Sequence, residues 1–85
     1  MTQEEFDMLL NKAASGDKDS MFQLASLCKI FFDGAIEHND PASAQMYMGL
    51  FDGWANLAQS GFTDFGDELY QVKEFTRQAF SGVFQ

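Results

Sequence analysis

The stretch Asp40–Gly61, DPASAQMYMGLFDGWANLAQSG, decides the fold class. Asp40 followed by Pro41 is a strong helix start. The Asp side chain can cap, and Pro fits the first helical position, where no N–H is needed. Gln45, Asp52, Asn56 and Gln59 then trace a thin polar strip. Met46, Tyr47, Met48, Leu50, Phe51, Trp54, Leu57 and Ala58 fill the rest of the circumference. A helix apolar on most sides is expected to be covered by other elements. Gly49 and Gly53 lie four apart on one face. Each costs up to about 1 kcal/mol of helix propensity, so close approach of a neighbouring backbone is the expected return. Gly61 stops the helix, which gives a span of about 40–60.

The segment before it reads the same way. Asp17 is the expected N-cap of a helix over about 18–33, and Gly34 its end. Met21, Leu24, Ala25, Cys28, Phe31 and Phe32 form its main stripe, and Phe22, Leu27 and Ile30 widen it. Its narrow polar strip predicts a mostly buried helix. A first helix is predicted over about 2–15. Thr2 with Glu5 is a capping-box pattern, and Phe6, Leu9, Leu10, Ala13 and Ala14 repeat at helical spacing. Gly16 can supply the left-handed residue that ends it. A fourth helix is predicted over about 64–80, capped by Thr63 or Asp64, with Phe62 as a staple. Its apolar face is Phe65, Leu69, Val72, Thr76 and Ala79, flanked by Phe75 and Phe80. The tail from Ser81 should fray, unless Val83 and Phe84 pack back.

These four segments predict one all-α domain over residues 1–85. Short connections make sequential neighbours antiparallel. The second and third helices, apolar almost all round, are expected inside the amphipathic first and fourth.

Composition narrows the function. Hydrophobic residues make up 46% of the 85, too many for a disordered chain. Ten of them are Phe, more than a domain this small can hide, so exposed or partner-covered aromatic surface is expected. Thirteen acids against five Lys and Arg give a formal charge of -8. Direct binding to nucleic acid or an anionic membrane would add repulsion, whereas a basic protein surface would not. The single cysteine, Cys28, cannot form an internal disulfide and suits a reducing compartment. No apolar run reaches the roughly 20 residues of a membrane span, and no signal-peptide pattern is present, so the expected location is cytoplasmic.

One family pattern is legible. Ala13-Ala14-Ser15-Gly16-Asp17 leads into Ser20, Phe22 and Leu24-Ala25, then Gly34, Asp40, Ala44, Trp54, Ala58 and Gly61. This spacing resembles Sel1-like repeats, relatives of the tetratricopeptide repeat, over about residues 11–61. The resemblance implies helical hairpins and a scaffold or adaptor role without catalysis. A compact four-helix bundle accounts for the same periodicity.

Catalytic and metal-binding patterns are weak. A nucleophile needs a base beside it. The one histidine, His38, lies in a predicted loop, while Cys28 lies on the buried stripe of the second helix. Asp33, Glu37, His38 and Asp40 match neither an EF-hand loop nor a zinc spacing. No cofactor or metal is expected, and no enzymatic activity.

Nine of the 13 acids lie at or near helix starts: Glu4, Glu5, Asp7, Asp17, Asp19, Asp40, Asp64, Asp67 and Glu68. There they complement the helix dipoles. Capping does not explain why so few bases balance them. Solubility is the plain account. The sharper account is an acidic face that engages a basic partner. Tyr70 and Phe75 lie near the polar side of the fourth helix, beside Lys73 and Arg77, and are the candidate aromatic anchors. The candidate partner-binding set is therefore Glu4, Glu5, Asp7, Asp64, Asp67, Glu68, Tyr70, Glu74 and Phe75. The leading expectation is a protein–protein interaction module, an adaptor or inhibitor that binds a basic protein surface. Self-association into a homodimer is a variant of it. The alternative is a phage-type anti-defence inhibitor that imitates nucleic-acid charge and blocks a nucleic-acid-binding protein.

Overall fold

The computed structural model describes residues 1–60 and 66–84. Among the described residues there are four helices: α1 (Gln3–Ala14), α2 (Lys18–Glu37), α3 (Pro41–Gln59) and α4 (Gly66–Ala79). No strand occurs among the described residues, and no helix is long and apolar enough to cross a membrane. The sequence expectations for Gly61, Phe62, Thr63, Asp64 and Phe65 lie outside the described residues.

Local chemistry sets the helix ends. The α1 capping box is complete: the Glu5 N–H donates to Thr2 Oγ1 and the Thr2 N–H donates to the Glu5 carboxylate, each at 3.1 Å. Asp40 caps α3 by accepting from the Ser43 N–H at 3.2 Å. Asp17 occupies the N-cap position of α2, but its carboxylate accepts the buried Ser20 hydroxyl and no backbone N–H.

Two of the helices close by the same device. After α1, Gly16 takes φ 102°; the Asp17 N–H reaches the Lys12 carbonyl and the Gly16 N–H reaches Ala13. After α2, Asn39 takes φ 55°; the Asp40 N–H reaches Ala35 and the Asn39 N–H reaches Ile36. Both are Schellman closures, which satisfy the last free carbonyls. Here the second predicted boundary is corrected. Gly34 does not end α2, which runs through it to Glu37. Asn39 supplies the left-handed residue because asparagine tolerates that conformation far better than most side chains.

The four helices form a ring. The 20 residues of α2 are about 30 Å long, and the three-residue link His38–Asp40 cannot span that, so α3 must run back antiparallel. This α2–α3 hairpin is the most extensive pairing, α1 lies on α2, and α4 lies on α3. α1 and α4 also meet, antiparallel. Phe6 packs tilted against Phe80, with centroids 5.2 Å apart, while Ala14 lies by Gly66, Leu69 and Tyr70.

Each helix in a ring has two neighbours and an outer side. That corrects the expectation of two sheathed inner helices. Phe22, Ile30 and Ile36 on α2 are exposed, as is Met46 on α3.

The core is one cluster, which includes Trp54, Met21, Leu24, Cys28, Leu57 and Ala58. Trp54 is fully buried, and its Nε1 donates to Thr76 Oγ1 at 2.8 Å. The Thr76 hydroxyl in turn donates to the Val72 carbonyl at 2.7 Å. At the other end five rings cluster: Phe6, Phe31, Tyr47, Phe80 and Phe84. Gly82, at φ 79°, turns the tail so that Phe84 stacks on Phe6 with centroids 5.1 Å apart. Of the two tail residues, Phe84 packs back and Val83 stays exposed.

Replacing Thr76 by Val should therefore cost about 1–3 kcal/mol, read as a lower urea midpoint, because it strands the buried Trp54 N–H. Adding Trp54→Phe to that variant should cost less than the two single changes summed. The caps add an acid dependence. The Thr2 backbone hydrogen bond, then the Thr2 hydroxyl, hold Glu5 below its ordinary 4.5; the Ser43 side chain, then its N–H, hold Asp40 below 3.8. Groups with lowered folded-state pKa values stabilise fully above their unfolded values and lose that stabilisation as pH falls through the folded ones. Thermal midpoints should thus stay level from about pH 7 to 5 and fall below about pH 4, and the fall should shrink in Asp40→Asn.

Candidate functional site

Among the described residues, the predicted interaction residues do not all share one face: Asp7, Tyr70 and Glu74 lie near enough to Arg77 to act on its charge, while Glu5 and Phe75 border other depressions. On α1, Glu5 is held by the cap and borders a depression with Met8, Leu9, Lys12, Ser20 and Gln23, on the side toward α2. Asp7 accepts from Gln3 Nε2 at 2.9 Å and lies on the α4 side, where its charge is felt by Arg77. Glu4 is exposed. On α4, Asp67 and Glu68 are exposed in the first turn, where the dipole favours them. Glu74 is engaged by Arg77 one turn on, and this hydrogen bond is the main reason the guanidinium pKa is raised. Asp64 lies outside the described residues.

The two candidate aromatics separate as well. Tyr70 and Phe75 are 64% and 59% exposed, so neither is core. Five residues along a helix is about 140° of rotation, and they look in different directions. Tyr70, with Lys73, borders a depression against Ala14 of α1. Phe75 turns to the opposite side, toward α3. The reading that joined both rings to Lys73 and Arg77 in one patch is thus corrected: helix geometry splits it.

Phe75 forms a wall of an open, mainly apolar groove between α3 and α4, with a volume of about 550 Å³. Met46, Gly49 and Leu50 line it from α3; Val72, Phe75 and Ala79 line it from α4; Gln45 and Gln78 supply amides at its edge. The sequence signal was Gly49-x-x-x-Gly53, which suggests two close approaches. The structure treats the two glycines differently. A Cβ on Gly53 would come within 3.3 Å of Val72 Cγ2, so this glycine seats a side chain of α4 rather than its backbone. A Cβ on Gly49 would meet nothing within 4 Å.

A second apolar area was missed because Phe22, Leu27 and Ile30 read as core. Met1, Leu9, Phe22, Leu27 and Ile30 border a shallow depression between α1 and α2. The signal that could have found it is their position: a stripe too wide for two neighbouring helices to cover.

The groups considered for chemistry lie apart. Cys28 is fully buried in the core, and burial pushes its thiol up to about 12. His38 is exposed at the C-cap of α2, in a depression with Ile30, Ala35, Asp40 and Tyr47. Tyr47 is half-buried, and its pKa is raised first by burial and then by the nearby Cys28 and Asp40. Among the described residues, no three His, Cys, Asp or Glu side chains converge as metal ligands would.

The Cys28 thiol should accordingly react with a disulfide reagent at pH 8 at least about a hundredfold more slowly in the folded chain than in urea, since reaction needs the thiolate and access to it. Equal rates would contradict so complete a burial.

Comparison with protein-family models, characterised proteins and solved structures gives no significant match to this chain.

Proposed function

We propose that this chain is a non-enzymatic protein-interaction module that recognises a basic protein surface through exposed apolar anchors. The observation that supports this reading is the groove between α3 and α4. It is mainly apolar, open to solvent and walled by a Phe75 ring that is 59% exposed. Exposed apolar surface of this kind is unfavourable in water unless a partner covers it. The charge of -8 then selects among partners, favouring those with Lys and Arg around their own apolar contacts. The scaffold role implied by the Sel1-like pattern of residues 11–61 belongs to the same reading.

Two features weigh against charge imitation as the leading function. Glu5, Asp7 and Glu74 are engaged by neighbouring side chains or caps. Among the described residues, the other acidic candidates, Glu4 on α1 and Asp67 and Glu68 on α4, are exposed and lie on two different helices. Binding energy in the proposed mode comes from a few desolvated apolar residues, while the charges govern encounter and selectivity.

The test is capture of a partner from the native host on the immobilised chain, followed by titration with that purified partner. Between about 50 and 500 mM salt, affinity should fall by less than about tenfold. A fall of several decades would instead favour imitation of a polyanion. Failure to capture any protein that binds the purified chain in return would remove the support for a module.

A further inference from the structure

We infer that the α3–α4 groove seats one amphipathic helix of a partner protein, with its apolar stripe over Gly49 and Lys or Arg on its flanks. This rests on the interaction-module reading and names its occupant.

Gly49 carries the first part of the argument. It lies in the middle of α3, whose span is Pro41–Gln59, and its φ is not in the left-handed region. The backbone there does not require glycine. A mid-helix glycine costs about 1 kcal/mol against alanine. For Gly53 the return is visible, because Val72 occupies the place of a side chain. For Gly49, nothing among the described residues uses the space. The position lines the groove together with Met46 and Leu50 of α3 and Phe75 of α4. A missing side chain at that point deepens the groove and lets a second backbone approach.

Shape sets the class of occupant. A trough between two antiparallel helices, with an apolar floor and one aromatic wall, fits a third helix that presents residues at i, i+3, i+4 and i+7. It offers no row of free backbone groups for an added strand. The chain's own α1 and α2 lie elsewhere in the ring, so neither can fill it.

Charge sets the flanks. Among the described residues, no charged side chain lines the groove. Asp52 stands three residues after Gly49, and Glu68 stands four before Val72 and seven before Phe75; both are exposed. Those spacings put each acid on the groove side of its own helix. The two bases of α4 are directed away: Lys73 borders the depression by Ala14, and Arg77 is held by Glu74. A helix with cationic flanks gains attraction on both sides. A second copy of this chain would bring another charge of -8 to the same rim.

The test uses the 85-residue chain and a display library of helical peptides of about 18 residues, about 27 Å long. The peptides are apolar at i, i+3, i+4 and i+7, with randomised flanking positions. Selection should enrich Lys and Arg on the flanks. Gly49→Leu should weaken the selected peptides about tenfold or more, while its thermal midpoint holds or rises, because Leu is the better helix former and the space above Gly49 is open. Gly49→Ala should show the same pattern more mildly, and Phe75→Ala should also weaken binding. The inference is overturned if the library yields no binder, if binders are indifferent to Gly49→Leu, or if acidic flanks are enriched. It is also overturned if the chain sediments as a dimer that Gly49→Leu dissociates, since the occupant is then a second copy. A captured partner that binds Gly49→Leu as well as the parent chain defeats the groove and leaves the module reading standing. Absence of any partner defeats that reading itself.

Discussion

The burial of Trp54 is the constraint on which the rest of the structure depends. Its ring is the largest side chain removed completely from water, and it lies on the helix that pairs with both α2 and α4. An indole cannot be buried without an acceptor for its N–H. Thr76 provides one from α4, and its own hydroxyl donates a hydrogen bond to the Val72 carbonyl within the same helix. One short chain of hydrogen bonds thus fixes the height and rotation of α4 against α3. With that rotation set, Val72 meets Gly53 and Phe75 is directed into the groove.

The far end of the ring is closed by aromatic contact without hydrogen bonds. Phe80 sits among Phe6, Phe31, Tyr47 and Phe84, with centroids 4.9 to 5.9 Å away. These rings come from α1, α2, α3 and the residues after α4, so the cluster joins every layer at once. Tilted and stacked pairs at such distances add to the stabilisation from area alone. An 85-residue domain has little interior to spare, and placing its bulkiest groups at two anchoring points makes efficient use of it.

What is left outside reflects the same shortage of interior. Four helices in a ring cover two sides of each helix, whereas the apolar residues of α2 and α3 extend around more than that. Phe22, Ile30, Ile36, Met46 and Phe75 remain in water. The formal charge of -8 opposes indiscriminate association of so apolar a surface, because like charges repel.

Helix number and type were legible in residue order because local chemistry governs them. The Thr2–Glu5 box, the Gly16 closure and the Asp40-Pro41 start act within a few residues, and the 3.6-residue repeat marked Phe6, Leu24, Cys28, Trp54 and Thr76 as core. The end of α2 was misplaced, since whether a glycine halts a helix depends on the residues after it, and Asn39 offered a better closure. Which part of a wide apolar stripe is covered was beyond reach. That depends on how many neighbours a helix has and on its rotation, and both are settled by contacts between residues distant along the chain, such as Trp54 and Thr76. For the same reason Tyr70 and Phe75 look alike in sequence but lie on different sides of α4. Gly49 and Gly53, equal in any local reading, differ only because Val72 reaches one of them.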